Sequence, residues 1–305
     1  MLLGVLKYPA YYESVVNEDL YKEGLAVPPG FQKPNWLFKD DFFKPPKCIY
    51  STEKDVLEFV LMPFSDSDKE LFLTVSDKPG KHSKSIYKSL DTSIMELGDD
   101  IAYGVHDLED AISLKMITRE VWEEYFSVEN RKEIVQRCHL DGGTLKYSYA
   151  DLTDYLFGDS YSRKDAIGSL VHALMTSVEI EDLNNKANVN FEHPLLRYNA
   201  VLKEDYKKLL DVLQKLVVEK VIKHPNVQML EFKGQKMVVE LFELIATDAE
   251  RFLQGEDKTN WKKAENDRDR YRIICDYIAG MTDDYAVRLY QKLFMPNHGS
   301  IFDHL

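Results

Sequence analysis

Residues 93–117, SIMELGDDIAYGVHDLEDAISLKMI, decide the fold class because their apolar and polar positions alternate with the period of an α-helix. Ser93 followed by Glu96 is a capping-box pair, which predicts that the helix starts just before Ile94. The apolar positions that share one face are Ile94, Leu97, Ile101, Val105, Leu108 and Ile112. The polar positions that form a stripe on the other side are Asp99, Tyr103, His106, Asp107 and Asp110. The sequence therefore predicts an amphipathic helix with its apolar face towards a core.

The polar stripe has two interpretations. It is either the ordinary solvated face of a surface helix or one wall of a site. Tyr103 and Gly104 are unfavourable on a solvated helical face, where Ala, Glu or Lys would serve better. Asp99 and Asp100 have no Lys or Arg three or four residues away. Unpaired carboxylates beside a tyrosine suit a hard cation or a site that holds water and hydroxyl groups.

The rest of the chain also favours helices. The pattern predicts a short helix from Ser51 to Leu61, a chain break at 76–80, and a proline-rich excursion at 24–48. Strand signals are weak, since no run shows sustained alternation with β-branched residues. The fold class is therefore predicted to be all-α. Further amphipathic helices are predicted at about 118–137, 147–157, 162–182, 203–224, 234–254, 261–279 and 283–294.

Composition limits the function classes. The chain has 305 residues and a formal net charge of −13, from 39 Lys and Arg against 52 Asp and Glu. So acidic a protein repels phosphate backbones unless basic side chains gather at one place, which argues against general coating of nucleic acid. No apolar run is long enough to span a bilayer, and the apolar start of the chain does not have the pattern of a signal peptide. Three scattered cysteines suit a reducing compartment, so a cytoplasmic location is predicted.

Two basic segments are candidate anion sites. Arg268, Arg270 and Arg272 lie close together near the C-terminus, and they either pair with the neighbouring acidic residues or bind a phosphate. Gly280 and Thr282 after them predict the end of one helix and the N-cap of the next. Lys7 and Tyr8 place a cation and a phenol ahead of a proline, which is weak evidence taken alone.

Three segments together carry a family resemblance. LLGVLKYP at 2–9, GDDIAYGVHDLEDAI at 98–112 and DYIAGMTDDYAVRLYQKLF at 276–294 resemble, in this order, the C-terminal two-thirds of the bacterial deoxyguanosinetriphosphate triphosphohydrolases of the HD metal-dependent hydrolase superfamily. PPKCIYSTEKDV and VEKVIKHPNVQMLEFKG, which lie between these landmarks, are also similar to family segments. The resemblance implies a multi-helical HD-domain-like hydrolase. It would place the remainder of the catalytic core at 1–117 and a helical region packed on it at 118–305.

The resemblance also implies an activity and a set of site residues. The family cleaves a deoxynucleoside triphosphate, dGTP above all, into deoxynucleoside and tripolyphosphate. Its metal site is built from a histidine, a His-Asp pair and a distant aspartate, and the aspartate corresponds to Asp99, the implied catalytic and metal-binding residue. The implied substrate-binding residues are Lys7, Tyr8, Tyr103, Asp107, Glu231 and Arg272, of which Glu231 and Arg272 match positions that a neighbouring subunit's site can borrow. A homo-oligomer follows by the same analogy.

The chain departs from the family at the metal site. The family's histidine and His-Asp pair lie upstream of the Lys-Tyr-Pro segment, and residues 1–6 cannot supply them. His106 and Asp107 share a helix with Asp99 and cannot replace ligands that converge from several helices. A divalent metal, Mg or Mn, is therefore expected only if a preceding segment or a companion chain supplies the other ligands, and the isolated chain is expected to be inactive.

Two function classes follow from this departure. One is part of a triphosphohydrolase, completed by an upstream segment or by a companion chain. The other is a catalytically inactive nucleotide-sensing or interaction subunit of the same fold. The expected partners are a deoxynucleoside triphosphate, the missing N-terminal half or a companion chain, and further copies of this chain. Binding to a membrane is not expected. Nucleic acid is a partner that the sequence permits but does not indicate.

Overall fold

The chain is seen in a computed structural model that describes residues 2–25, 43–128, 130–140 and 142–296. Most of the predicted excursion at 24–48 lies outside the described residues. The described residues are mostly helical, which confirms the predicted all-α class. They form two compact units, one made of 2–25 with 43–224 and the other of 225–296. The division predicted from the sequence, 1–117 and 118–305, is a different partition and stays a prediction. Within the first unit, residues from both sides of position 117 share one core.

The first unit contains most of the helices. They are α1 Leu2–Val5, α2 Tyr12–Val15, α3 Asp19–Leu25, α4 Lys54–Leu61, α5 Asp66–Phe72, α6 Leu90–Ser113, α7 Arg119–Phe126, α8 Arg131–His139, α9 Tyr149–Leu156, α10 Ser160–Thr176, α11 Leu183–Ala187, α12 Pro194–Arg197 and α13 Glu204–Val217. A 3₁₀ turn at Ser51–Glu53 precedes α4, and together they form the short helix predicted from Ser51 to Leu61. A π turn at Val218–Ile222 follows α13.

The second unit is a smaller helical group. Its helices are α14 Pro225–Thr247, α15 Ala249–Phe252, α16 Gly255–Lys263, α17 Asp267–Ala279 and α18 Asp283–Phe294. Ile245, Ala249, Leu253 and Ile274 form one buried cluster in it, and Met237, Leu241 and Leu289 are also buried. Gly280 follows α17 and Thr282 caps α18 by accepting a hydrogen bond from the Tyr285 N–H, both as predicted.

Helix α6 is the central element of the first unit. It packs against α1, α10, α13 and strand β4 (Tyr198–Leu202). Four of the predicted core positions, Ile101, Val105, Leu108 and Ile112, are buried, which fits the helical pattern. Ile94 is an exception: its side chain is 53% exposed, so its assignment to the core face was wrong.

The predicted start of α6 is also wrong. The helix begins four positions earlier, because Ser89 is the N-cap and its Oγ accepts a hydrogen bond from the Thr92 N–H at 3.1 Å. Ser93 is buried inside the first turn. Its Oγ donates to the Leu90 carbonyl and accepts a hydrogen bond from the Ala200 N–H at 2.8 Å. Ser93 therefore ties the helix to strand β4 instead of capping it.

Gly104 lies in a close helix crossing and not on a solvated face. An added Cβ at Gly104 would lie 2.6 Å from Leu210 Cδ1 and 3.1 Å from Gln214 Cγ, both on α13. The absent side chain lets α6 and α13 approach each other. Gly104 is therefore buried at the crossing with α13 and is not part of the solvated face on which the sequence placed it.

The fold includes two short antiparallel pairs that the sequence did not reveal. Strand β1, Val75–Ser76, pairs with β2, Lys84–Ser85, so the predicted break at 76–80 is the connection of a small hairpin. Strand β3, Val178–Asp182, pairs with β4. The helix predicted at 162–182 therefore ends at Thr176, where β3 takes over.

One buried carboxylate joins distant parts of the first unit. Asp68 on α5 is 1% exposed, and its two oxygens accept hydrogen bonds from the backbone N–H groups of Glu192 and His193 at 2.8 and 2.9 Å. Glu192 and His193 lie 124 and 125 positions after Asp68 in the sequence. These hydrogen bonds satisfy both oxygens away from water.

Candidate functional site

The segment around Lys7 is fastened to the start of α6. The Thr92 hydroxyl donates a hydrogen bond to the Leu3 carbonyl at 2.8 Å, and the Ser89 hydroxyl donates to the same carbonyl at 3.3 Å. Ser89 and Thr92 are buried. The N-capping residues of α6 thus hold the chain so that Lys7 reaches the second turn of the helix.

A backbone contact between the segments around Ala10 and Ile49 places Lys47 beside Tyr8. The Ile49 N–H donates to the Ala10 carbonyl at 2.8 Å, and Tyr11 and Ile49 form a parallel bridge. The Lys47 Nζ consequently lies 4.9 Å from the centre of the Tyr8 ring, within the range of a cation–π contact.

A cavity of about 380 Å³ that is open to solvent lies beside Lys7, Tyr8 and Lys47. Its lining combines several lysines with two tyrosines and with acidic residues of α6. The lining residues are Lys7, Tyr8, Lys47, Lys84, Ser85, Ile86, Tyr87, Lys88, Glu96 and Asp100. We call it the first cavity.

Two of its lysines are paired with carboxylates of α6. Lys7 Nζ lies 3.7 Å from Asp99 Oδ2 and 3.8 Å from Glu96 Oε1, and Lys88 Nζ lies 2.7 Å from Glu96 Oε2. The Asp99 side chain is 72% exposed, so its pair with Lys7 contributes little to stability. Lys7, Lys88 and Glu96 line the first cavity, and Asp99 is paired with Lys7 without lining it.

The pKa of the neighbouring Asp100 carboxyl is raised. Partial burial raises its pKa above the usual value, and the negative charges of Glu96 and Asp99 add to the shift. Gln214 on α13 donates from Nε2 to the Asp100 backbone carbonyl at 3.0 Å. A carboxyl with a raised pKa at a cavity is typical of functional sites, although structural networks also produce such shifts.

Tyr103 and Asp107 lie further along the same face of α6 and are half-buried. Burial raises the pKa of Tyr103, and the charge of Asp107 adds to it. Burial also raises the pKa of Asp107, with a contribution from Asp110 and an opposing one from His106. Of the polar stripe predicted from the sequence, Tyr103 and Asp107 are half-buried, whereas Asp99, His106 and Asp110 are exposed. Neither Tyr103 nor Asp107 lines the first cavity.

Glu231 and Arg272 belong to the second unit. Glu231 on α14 accepts a hydrogen bond from Gln228 Nε2 at 2.8 Å. Arg272 on α17 donates from Nε to both carboxylate oxygens of Asp276, at 2.8 and 2.9 Å. In this structure Arg272 therefore makes an ion pair within its own helix, the simpler of the two roles considered for the arginine cluster. The substrate role of both residues stays a prediction.

The described residues alone do not fit a divalent metal. Among them, no group of three or more His, Cys, Asp and Glu side chains is placed to hold an ion. The Lys7 amine lies 3.7 Å from the Asp99 carboxylate. Asp99 would need further ligands from outside the described residues.

Three of the four lysines at this site, Lys47, Lys84 and Lys88, were not predicted from the sequence. Lys84 and Lys88 lie in the run KHSKSIYK at 81–88, which concentrates positive charge in an acidic chain. This concentration of positive charge is the sequence signal from which Lys84 and Lys88 could have been predicted as site residues. Lys47 and Asp100 join the site only through tertiary contacts, since Lys47 depends on the bridge between Tyr11 and Ile49.

Comparison with known proteins gives matches over almost the whole chain. A family model described as phosphohydrolase-associated domain matches residues 200–292. A deoxyguanosinetriphosphate triphosphohydrolase-like protein of Aliivibrio fischeri is 42% identical over 300 residues, which is 97% of this chain and 64% of that protein. Proteins with the same description from Shewanella woodyi and Vibrio cholerae are 39% and 40% identical, over 99% and 96% of this chain and 64% and 63% of their own lengths.

This chain is homologous to the deoxyguanosinetriphosphate triphosphohydrolase-like proteins. The resemblance stated from the sequence is thereby confirmed. The chain spans a little under two thirds of the length of these curated relatives. Among the described residues, none of the helices has the length and apolar character needed to cross a bilayer. The cytoplasmic location stays a prediction.

Proposed function

We propose that this chain is part of a metal-dependent triphosphohydrolase that converts dGTP to deoxyguanosine and tripolyphosphate. The observation that carries the proposal is the approach of Lys7 to Asp99, two residues that are distant in sequence and that the family resemblance had assigned to one site. The names of the relatives and the basic first cavity beside this pair support the same substrate class.

Each site residue has a defined part in the proposal. Lys7 is a point cation that offsets triphosphate charge, and Tyr8 lies beside it on the phosphate and sugar side. Tyr103 offers a hydroxyl to phosphate or ribose, and Asp107 accepts a hydrogen bond from the sugar. Asp99 is the one metal ligand that this chain supplies.

The proposal includes components that the described residues do not contain. Mg or Mn would bind only with a histidine and a His-Asp pair from the rest of a longer protein or from a companion chain. Glu231 and Arg272 would serve the site of a neighbouring copy in a homo-oligomer. Without the added ligands, the 305-residue chain should release no tripolyphosphate from dGTP.

A chimera tests the proposal. In the Aliivibrio fischeri relative, the part that this chain matches is replaced by this chain, and tripolyphosphate release from dGTP is measured with Mn. We expect release by the chimera, none by the 305-residue chain alone, and loss of release in the chimera with Asp99→Asn. Asp211→Asn is the matched control, because Asp211 is an exposed helical aspartate with the same change of charge.

Two results would contradict the proposal. One is equal release by the chimera with and without Asp99→Asn. The other is a folded chimera that does not cleave dGTP while the intact relative does. The second candidate function is a nucleotide-binding subunit without catalysis. A chimera that binds dGTP tightly without cleaving it would support that class instead.

A further inference from the structure

A second cavity adjoins the first. Its volume is about 540 Å³, and it lies between the hairpin loop that connects β1 to β2 and the segment before Lys47. Lys47 and Lys84 line both cavities. The residues of the second cavity are Leu20, Lys44, Pro45, Pro46, Lys47, Gly80, Lys81, His82, Ser83 and Lys84.

The second cavity is strongly basic. Its lining contains four lysines and one histidine, and no carboxylate is among its described lining residues. Lys47, Lys81 and Lys84 have no carboxylate within 4.0 Å of Nζ among the described residues, whereas Lys7 and Lys88 in the first cavity are paired. In a chain with a net charge of −13, this concentration of unpaired lysines attracts anions.

His82 adds a hydrogen-bond donor. Its Nδ1 accepts a hydrogen bond from the Asn17 backbone N–H at 2.9 Å, so in the neutral ring the proton is on Nε2. The Nε2 atom is buried and has no hydrogen-bond partner among the described residues. A buried donor without an acceptor carries a cost, which an anionic oxygen would remove.

The loop that carries Lys81 and His82 is held in place. Gly80 has φ of +71°, a conformation that glycine adopts without strain, and it turns the chain after Pro79. The Ser83 N–H then donates to the Val15 carbonyl at 2.9 Å. With the hydrogen bond from Asn17, this contact presents the basic residues on a preorganised loop, and preorganisation lowers the entropy lost on binding.

We propose that the second cavity is an anion site for a polyphosphate chain, separate from the position that Lys7 and Asp99 define. The lysines of the two cavities form a continuous series through Lys47 and Lys84. Such a series matches a ligand with several linked negative charges better than it matches a single carboxylate. The ligand is either free inorganic polyphosphate or the phosphate groups of a second nucleotide.

An NMR titration of the 305-residue chain tests the site without measuring catalysis. The probes are inorganic tripolyphosphate and dGTP, and the readout is the side-chain signal of His82, assigned with His82→Gln. We expect the signal to move on addition of tripolyphosphate and the half-saturating concentration to rise about tenfold or more in Lys81→Ala, because a charged hydrogen bond is lost. Raising the salt concentration should weaken binding as well.

A control variant separates this site from its surroundings. Lys207→Ala removes an exposed lysine of α13 that lines neither cavity. It should not change the half-saturating concentration by more than about twofold. An unmoved His82 signal with both probes, or an equal effect of Lys81→Ala and Lys207→Ala, would overturn the proposal.

The two probes also identify the source of the ligand. Half-saturation by dGTP at a lower concentration than by tripolyphosphate supports a nucleotide, and equal or tighter binding of tripolyphosphate supports the free polyphosphate. The test is independent of the proposed function, since loss of dGTP cleavage in the chimera leaves the His82 titration unaffected.

Discussion

At the scale of single residues, two aspartates of the first unit have pKa values displaced in opposite directions. Partial burial, together with the charges of Glu96 and Asp99, raises the pKa of Asp100. Hydrogen bonds from Lys146 and Tyr147 lower the pKa of Asp165. Folding therefore favours the protonated form of Asp100 and the ionised form of Asp165.

The opposite shifts predict opposite dependences of stability on pH. The raised pKa of Asp100 means that its contribution to stability falls as pH rises from the ordinary carboxyl pKa of 3.8 through the raised one. The contribution of Asp165 is complete above 3.8 and is lost as pH falls through its lowered pKa. Relative to the unchanged protein, Asp100→Asn should therefore gain Tm, and Asp165→Asn should lose Tm, on going from about pH 3 to about pH 7. Thermal melts of the three proteins across this range check the prediction, and parallel trends for the two variants would contradict it.

At the scale of elements, the crossing of α6 and α13 depends on Gly104. A valine there would place atoms against Leu210 and Gln214, which an added Cβ already approaches to 2.6 and 3.1 Å. We expect Gly104→Val to lower the free energy of unfolding by about 1–3 kcal/mol through overpacking. Urea unfolding measures the change.

Gly98 on the same helix is the matched control. It is exposed, and an added Cβ there would meet no atom within 4 Å. Gly98→Val should therefore leave stability unchanged or raise it by a few tenths of a kcal/mol, because valine has a higher helix propensity than glycine. Similar losses in the two variants would show that the close crossing with α13 does not determine the effect.

Some elements could be predicted from the sequence and others could not. The periodic residues of α6 fixed its type and its buried face, because burial of one stripe repeats along the helix. Its start could not be chosen from local signals, since Ser89 and Ser93 are both plausible caps and contacts with Leu3 and Ala200 decide between them. Strand β3 has only five residues and depends on a partner 16 or more positions away, so no local pattern reveals it.

At the scale of the whole molecule, the two units have cores of different size. The core of the first unit includes many fully buried side chains, among them Leu108, Trp122 and Leu170, each 0% exposed. In the described part of the second unit, seven apolar side chains are buried, and four of them form one cluster. Local stability follows the number of buried apolar contacts, so the second unit should open more readily.

Amide hydrogen exchange checks this expectation. In native buffer, the amides in the middle of α6 should exchange at least about tenfold more slowly than those in the middle of α14, after correction for intrinsic rates. Both helices are longer than 20 residues, so the comparison is not affected by fraying of short ends. Equal protection of the two helices would contradict the prediction.

The candidate site shows the same division between what the sequence reveals and what it does not. The family resemblance named Lys7, Tyr8 and Asp99, and the fold places these residues together. It could not name Lys47 or Asp100 as cavity residues, because their positions depend on tertiary contacts. The roles assigned to Glu231 and Arg272 involve a neighbouring subunit, and one chain contains no information on such contacts.

The buried carboxylate of Asp68 has a consequence for the order in which the first unit folds. Its oxygens keep their bound water until Glu192 and His193 arrive, and those residues lie more than a hundred positions along the chain. Closing so long a loop costs entropy that no contact offsets until the two segments meet. A nascent chain therefore cannot complete the hydrogen bonds of Asp68 before residue 193 has been synthesised.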